Sequence, residues 1–487
     1  MPGFNLVRNA RAFFTTNLNA TSKVVQATGF TAANAFELQI LNGFSYSQNN
    51  ETQTITVNEA GTTVSRGQRT FNTALSPVEF SFSTYIRPSG TTTIDAEEKV
   101  LWNALLSAQA IDLTGLSVST VSAFTRTASS DTVTFTCASA NLSGAGIAVG
   151  DVITISSITG TDAIEWNTPA ILDAITAGTA SAATGIRIKY LRAPAGAATA
   201  PATAPTSLKI HKGAITQHAA AAPEAAYMLA HSGGSNKNQL QAFGMVIILD
   251  GVTYLIDNCA LNQATVDFGL DGIAMVQWTG NGTALRQLGT NATAAAGTFG
   301  GGLTGSYTQK NTSANFITQK LATVTLASNI RALGSSTAYT VAITGGSFTI
   351  NNNIQYVTPE ILGVVNSPIG YFTGTRAISG SLTAYLKTGT NTTASLLSDM
   401  LASSSTATET KYAMEIAIGG HTNTVKVELD LPAVMLQIPT IETQDVLSTT
   451  INFTAEGFDG STSAAGGGTA AYDLENTNEL VIRYYSA

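Results

Sequence analysis

The feature that most constrains this chain is an internal repeat of a strand, turn and helix pattern. Residues 81–87 and 381–387 both alternate as strands do, and both end in a tyrosine, an aliphatic residue and a base. A glycine/threonine turn and a helix-like stretch follow each segment, at an offset of 300 residues (385 − 85). We interpret this order as a duplication. The alternative is a chance alignment of threonine- and serine-rich strands.

The offset falls after the helix, which indicates an insertion in the first copy. Residues 276–282 align best with residues 451–457, at an offset of 175 (453 − 278). The first copy therefore carries about 125 extra residues (300 − 175) between Ala110 and Leu240. Short alternating strands at residues 131–137, among others, predict that this insertion is a small β domain.

The predicted fold class is mainly β. We expect two tandem domains of β-barrel or β-sandwich type, each with one short flanking helix, and a small inserted β-sandwich. A glycine-, alanine- and threonine-rich stretch near residues 290–308 is expected to be a flexible linker, and so is the stretch 457–469. The predicted bounds are 1–110 with 237–290 for the first domain, 111–236 for the insertion, 291–310 for the linker and 311–487 for the second domain.

The charge content excludes several functional classes. Charged residues make up 11% of the chain and the net charge is −8, whereas soluble proteins average roughly 25% charged residues. The bases are scattered singly, without the clusters that neutralise phosphates in a tight nucleic-acid binder. The surface must be mostly small, neutral and hydroxylated, as in β proteins that pack against copies of themselves.

No group of residues resembles a catalytic, cofactor or metal site. His211 and His218 lie seven residues apart, which is not a metal-ligand spacing, and no cysteine or acidic pair accompanies them. The neighbouring acids Glu97 and Glu98 cannot flank a scissile bond. No glycine-rich loop ends in Gly-Lys-Ser/Thr, and we interpret Cys259 as a core residue. We therefore predict no enzyme, no cofactor and no metal.

The hydropathy pattern predicts neither secretion nor membrane insertion. The first ten residues contain no apolar run of signal-peptide length. The longest apolar stretch, at residues 245–249, is far shorter than the roughly 18 residues that span a bilayer. We expect synthesis in a cytoplasm.

Residues 1–10, 71–88 and 449–455 resemble the major tail tube proteins of long-tailed bacteriophages. In that family a β-barrel subunit with one helix forms rings, and stacked rings make the hollow tube that conducts DNA into the host. The resemblance implies a virion protein made in the bacterial cytoplasm. Most members carry one such domain and form hexameric rings. Duplicated members form trimeric rings with pseudo-sixfold symmetry, which is the assembly expected here.

The resemblance also implies contacts and partners. Inter-ring contacts in the family come from the N-terminal arm and a long loop, here residues 1–9, 56–70 and 358–370. Expected partners are the tape-measure protein, the tail terminator and the distal tail proteins, while DNA passes through an acidic or neutral lumen without tight binding. The insertion is expected to project outward, with an immunoglobulin-like fold as one option. The charges expected to contribute to ring stacking, as opposed to a merely solvated loop, are Glu59, Arg66, Arg69 and Glu360.

Two other structural classes remain open from the sequence. One is an exported β-rich adhesin or surface-layer subunit, which should carry a secretion signal. The other is a carbohydrate-binding β-sandwich array, which needs exposed aromatic platforms and is poorly supported by the 3 tryptophans.

Overall fold

The structure is a computed structural model, and β-strands make up most of it. It describes residues 10–41, 43–55, 69–89, 93–106, 115–127, 132–159, 166, 169–190, 199–212, 218–219, 224–228, 240–249, 252–290, 296–310, 315–327, 338–362, 365–404, 411–419, 425–442, 447–456 and 479–485.

The elements before the insertion are eight strands and one α-helix. They are β1 (Ala10–Thr15), β2 (Ala35–Leu38), β3 (Ser45–Ser47), β4 (Asn50–Ile55), β5 (Arg69–Leu75), β6 (Val78–Tyr85), β7 (Pro88–Ser89), β8 (Thr93–Ala96) and α1 (Lys99–Leu106).

The insertion contributes seven strands. They are β9 (Leu116–Ser119), β10 (Ser122–Arg126), β11 (Thr132–Ala140), β12 (Val152–Ser156), β13 (Pro169–Thr179), β14 (Ala182–Tyr190) and β15 (Ser207–Lys212).

After the insertion the chain returns to the main body and completes the first repeat. These strands are β16 (His218–Ala219), β17 (Glu224–Met228), β18 (Phe243–Leu249), β19 (Val252–Gly269), β20 (Met275–Gly282), β21 (Ala284–Thr290), β22 (Thr298–Phe299) and β23 (Gly305–Ser306).

The second repeat starts with a short 3-10 helix, Gln319–Leu321. Its other elements are β24 (Thr323–Ala327), β25 (Tyr339–Val341), β26 (Ile343–Asn351), β27 (Ile354–Val357), β28 (Gly370–Thr373), β29 (Ala377–Tyr385), α2 (Thr393–Ser404), β30 (Lys411–Gly419), β31 (Lys426–Leu436), β32 (Thr440–Glu442), β33 (Ser448–Ala455) and β34 (Val481–Tyr485).

Each repeat is built from two ladders that share one strand. In the first repeat, β19 belongs to the ladder β2-β1-β18-β19-β21 and also to the ladder β3-β6-β20-β19. In the second repeat the matching ladders are β25-β24-β30-β31-β34 and β26-β29-β33-β32, with β31 and β32 in the place of β19. The strand connections therefore repeat as the sequence does. The described sheets stay open, so the β-sandwich form of the prediction is the one observed.

A shared irregularity shows how closely the repeats correspond. The β18–β19 pairing shifts register between Phe243 and Met245, and the β30–β31 pairing shifts between Tyr412 and Met414. A bulge bends and twists a strand at one fixed point. Both repeats therefore turn the same strand at the same place.

A single hydrophobic core runs through both repeats. In the first repeat, seven of the eight residues of α1 are buried and six of them belong to this core, where the Trp102 ring meets Trp278 edge-on at 4.7 Å. Leu396 and Met400 of α2 join the same cluster. Because the core is continuous, the repeats support each other's fold.

The insertion has a core of its own. Its strands form one sheet in the order β10-β11-β14-β13-β12-β15-β9, whereas an immunoglobulin domain has two separate sheets. Phe135 and Trp166 are fully buried in this core. The sheet ends at Lys212, short of the predicted boundary at residue 236, because β16 pairs with β8 and β17 pairs with β34 of the main body.

The flexible linker predicted near residues 291–310 is not seen over residues 296–310. Phe299, Leu303 and Tyr307 are buried there and form a separate cluster with Phe13 and Phe30. The glycines around them allow the tight turn, while the apolar side chains anchor it to the first repeat. The other stretch expected to be flexible, residues 457–469, lies outside the described residues.

Because the two cores are separate, we expect Phe135→Ala to destabilise the insertion alone. Truncating a buried phenylalanine costs about 3–5 kcal/mol. Differential scanning calorimetry should show one transition moving to lower temperature while the transition of the main body stays in place. Movement of both transitions together would contradict the independence of the insertion.

Candidate assembly interfaces

The two repeats are joined by a β-ladder, which we call the intrachain joint. Residues 263–269 of β19 pair antiparallel with residues 345–351 of β26, from Gln263 opposite Asn351 to Gly269 opposite Gly345. The strand β19 can make this contact because it is 18 residues long and extends beyond the part that pairs with β18. The joint unites the four-stranded ladders into one of eight strands, in the order β3-β6-β20-β19-β26-β29-β33-β32.

Side-chain amides extend the joint beyond the ladder. The Asn352 backbone N–H donates to the Asn262 carbonyl at 2.8 Å, and its side-chain amide donates to the Leu105 carbonyl at the end of α1 at 2.9 Å. The Asn262 side-chain oxygen accepts the Ile354 N–H at 2.8 Å. The buried amide of Asn352 and the partly buried amide of Asn262 favour one register, because a slipped ladder would leave them unpaired.

A buried carboxyl group ties α1 to the last strand of the second repeat. Glu98 accepts a hydrogen bond from the Tyr484 hydroxyl and one from the Trp102 ring N–H at 3.3 Å, and Trp102 also donates to the Tyr484 oxygen at 2.7 Å. Burial raises the pKa of Glu98 to about 8, against the lowering effect of the hydrogen bond from Tyr484. The carboxyl is therefore neutral at pH 7 and acts as a hydrogen-bonding link between repeats.

Residues that enter the second repeat cover the end of the first. Phe316 packs edge-on against Tyr85 at 5.2 Å and lies 5.1 Å from the Arg87 guanidinium. The Ala274 N–H donates to the Ile317 carbonyl at 2.9 Å. Ile86 and Arg87, which follow β6, are thus buried in the first copy, whereas Lys387 in the second copy is exposed.

Two matching hairpins, β4–β5 and β27–β28, form separate two-stranded sheets, and we call them the paired hairpins. Gln53 lies opposite Phe71 in the first hairpin, and Gln355 lies opposite Phe372 in the second. The hairpins meet where the Leu75 N–H donates to the Asn366 carbonyl at 2.8 Å. Their surface is rich in exposed apolar side chains, namely Phe71, Val357, Ile361, Leu362, Val365, Ile369 and Phe372.

Two of the four charges predicted for ring stacking lie in the described part of these hairpins and their loops. Arg69 lies at the start of β5, opposite Ile55, and Glu360 is exposed in the loop after β27. Glu59 and Arg66 lie outside the described residues. The apolar character of the second hairpin was missed, although Ile361-Leu362 and Val364-Val365 in a predicted loop were a usable signal.

The residues considered for catalysis or metal binding are dispersed. The His211 imidazole is hydrogen-bonded to the Ser156 hydroxyl at 2.7 Å within the insertion, while His218 lies in β16. The other two of the 4 histidines in the sequence, His231 and His421, lie outside the described residues. Both cysteines are buried and unbridged, and burial raises the pKa of each thiol.

One acidic cluster was not anticipated from the sequence. Carboxylate oxygens of Glu415, Glu428 and Asp430 lie within 4.8 Å of one another, close enough to hold a cation. Lys426 and Arg483 form ion pairs with Glu428 and Asp430, so the acids already have cationic partners. Burial, followed by the charges of Glu428 and Asp430, raises the pKa of Glu415 to about 7. The cluster is an ion-pair network on neighbouring strands.

Comparison with known proteins agrees with this architecture. A family model described as "Phage tail tube protein" matches residues 138–455. The chain is also 26% identical over 486 residues to "Tail tube protein pb6" of Escherichia phage T5, an alignment that covers 98% of this chain and 78% of that protein.

The chain belongs to the phage tail tube protein family. It is a structural subunit of a phage tail tube and hence a component of the virion tail, and it assembles with itself and with other tail components. Within the part of the chain that the structure describes, no helix has the length and apolar character needed to cross a membrane.

The neutral carboxyl at position 98 predicts a specific pH dependence. Its folded pKa of about 8 lies above the value of about 4.3 for an exposed glutamate. Its contribution to stability is therefore complete below about pH 4.3 and declines as the pH rises to about 8, by up to about 1.4 kcal/mol per pH unit. We expect Glu98→Gln to remove this decline, so that the variant is more stable than wild type at pH 8.

Urea unfolding at several pH values measures this effect. As a matched variant, Tyr484→Phe removes the hydroxyl that donates to Glu98, so the decline should extend to higher pH. An identical pH profile for wild type and Glu98→Gln would show that Glu98 ionises normally in the folded protein.

Proposed function

We propose that three chains close into a ring with pseudo-sixfold symmetry, and that stacked rings form the conduit for the phage genome. The observation that carries this proposal is the intrachain joint, which already links two equivalent units by β pairing. Three chains would place 24 strands (3 × 8) side by side in one ladder. Linking two units covalently also halves the number of chains needed to close the ring, because one interface in every two becomes intramolecular.

The composition supports a passive conduit. With a net charge of −8 and no clustered bases, the chain lacks the phosphate-neutralising surface that would hold DNA by counterion release. DNA would pass through the lumen without tight binding. The insertion would lie on the outside, since a domain of its size would block the lumen. The proposed partners are the tape-measure protein, the tail terminator and the distal tail proteins.

We propose that the paired hairpins, together with residues 1–9, make the contacts between rings. The second hairpin supports an apolar contact, because Leu362 is 100% exposed and Ile369 is 68% exposed. Exposed apolar side chains gathered on one projecting element are typical of a surface that becomes covered. The charges Glu59, Arg66, Arg69 and Glu360 would then fix the orientation of the stacked rings.

Negative-stain electron microscopy of the purified protein, with averaging of end-on views, tests the ring. We expect rings or hollow tubes with threefold symmetry that approximates sixfold symmetry at low resolution. Rings of six full-length chains would contradict the trimeric assembly and keep the tube. Protein that stays monomeric even when tail-tip complexes are added would favour the adhesin or carbohydrate-binding alternative.

Replacing the apolar side chains of the second hairpin tests the stacking contact. We expect Ile369→Asp and Leu362→Asp to leave rings intact and to raise the concentration needed for tubes by about tenfold or more, since burying each side chain contributes about 1.5–3 kcal/mol. Gln355→Asp is the matched control, because it adds the same charge to β27 and removes no apolar group. Tube lengths in electron micrographs across a dilution series give the result. Loss of rings as well as tubes would place these residues in the lateral contact.

A further inference from the structure

The eight-stranded ladder ends in two strands whose outer edges have no partner strand among the described residues. β3 pairs only with β6 there, and β32 pairs only with β33. Unpaired backbone groups at a sheet edge are a template for pairing with another chain. The position of these edges raises the question of which strand of a neighbouring chain pairs with each of them, and in what register.

The two edges correspond to the two sides of the intrachain joint. Ser45 lies opposite Ser81 on β6, as Ser347 lies opposite Ser381 on β29, so β3 matches the middle of β26 at an offset of 302 (347 − 45). Thr440 lies opposite Thr450 on β33, as Thr265 lies opposite Gln277 on β20. β32 therefore matches the outer half of β19 at an offset of 175 (440 − 265).

We propose that β3 of one chain pairs antiparallel with β32 of the next chain, in the register of the intrachain joint. The inference rests on the proposed ring and specifies its lateral contact. In the joint, Ser347, Phe348 and Thr349 lie opposite Asp267, Val266 and Thr265. Subtracting 302 from the first set and adding 175 to the second gives the pairs between chains, which are Ser45 with Glu442, Tyr46 with Ile441 and Ser47 with Thr440.

The hydrogen-bond pattern of the joint also transfers. In an antiparallel ladder, opposed residue pairs alternate between hydrogen-bonded and non-hydrogen-bonded pairs. The Asn352 N–H bonds to the Asn262 carbonyl, so the opposed pair Val266 and Phe348, four residues along each strand, is also a hydrogen-bonded pair. The corresponding pair between chains is Ile441 and Tyr46. Pro439 immediately precedes β32, a position where a strand tolerates proline.

Side-chain chemistry repeats at the same place. In the joint, the Thr265 and Thr349 hydroxyls lie 3.2 Å apart. The residues at the matching positions, Ser47 and Thr440, also carry hydroxyl groups. A cross-strand pair of hydroxyl side chains stabilises a sheet modestly, and its recurrence supports the register.

Burial differs between the joint and the free ends as the proposal requires. Phe348 is fully buried in the joint, whereas its counterpart Tyr46 is only partly buried. Ala274 is also fully buried, whereas its counterpart Leu447 is 43% exposed, and Tyr385 beside it is 46% exposed. The free ends of the ladder thus leave uncovered positions whose counterparts are covered where the two repeats meet.

Disulfide trapping in assembled tubes tests the register. We would introduce Ser47→Cys together with Thr440→Cys in the full-length chain, with Ser45→Cys and Glu442→Cys as a second pair in register. A disulfide requires Cα atoms about 4.4–6.8 Å apart, which directly opposed residues satisfy. The mismatched control is Ser47→Cys with Glu442→Cys, whose diagonal separation of about 7–8 Å is too long. The native cysteines are buried.

The intrachain joint provides a positive control. Thr265→Cys with Thr349→Cys should form a disulfide without linking chains together. After mild oxidation, we expect the pairs in register to shift the monomer band to a dimer and a trimer on a non-reducing gel. The mismatched pair should remain monomeric.

Each outcome has a distinct meaning. The register would be overturned, and the tube kept, by either of two results in tubes whose positive control is oxidised. In the first, both pairs in register stay reduced. In the second, the mismatched pair forms its disulfide faster than the pairs in register. Linked species larger than a trimer would keep the register and contradict the trimeric ring. Wild-type protein that forms neither rings nor tubes would contradict the proposed function and this pairing together.

Discussion

The structure depends on the long strand β19, which pairs with a different neighbour on each part of its length. Its first half closes one ladder of the first repeat against β18 and β21, and its second half holds β20 on one side and β26 on the other. The bulge in β19 between Ile256 and Cys259, opposite Phe243 and Met245 of β18, lies where this strand passes from the first ladder to the second. Asn352 adds hydrogen bonds beside this strand. Other contacts join the repeats elsewhere, namely Phe316 on Tyr85, β17 with β34 and Glu98 with Tyr484. The two repeats are therefore joined by the backbone itself.

A joint of this kind suits a chain with few charges. Backbone hydrogen bonds each contribute about 1 kcal/mol net, and a ladder supplies many of them without any salt bridge. The polar links that exist are neutral or locally paired, as in the protonated Glu98 between Trp102 and Tyr484 and the acids of β30 and β31 with Lys426 and Arg483. Interfaces built on backbone pairing and small side chains can be repeated from unit to unit with little sequence identity, which accounts for the weak internal resemblance of the two copies.

Much of the fold could be predicted from the sequence, but the exact strand alignment and the packing of one glycine-rich stretch could not. The sequence aligns residues 276–282 with residues 451–457 at an offset of 175. In the structure, these segments belong to β20 and β33, whose true offset is 173 (451 − 278). The offset of 175 holds instead for β19 and β32. The sequence predicts that the insertion ends at residue 236. The described sheet of the insertion ends at Lys212, and the short strands β16 and β17 after it pair with β8 and β34 of the main body. The aromatic residues of 296–310 lie in a glycine-rich stretch that resembles a linker, and only their partners Phe13 and Phe30 show that it is anchored.

The sequence by itself determined the mainly β class, the repeat and the absence of clustered bases, because strand alternation and composition are local properties. The tertiary structure decided which edges remain open, since pairing between residues as distant as Thr265 and Thr349 follows from how whole strands are placed. The tertiary structure also decided the protonation state of Glu98. A glutamate at the start of a helix is expected to be ionised and solvated, and only enclosure by Trp102 and Tyr484 makes it neutral.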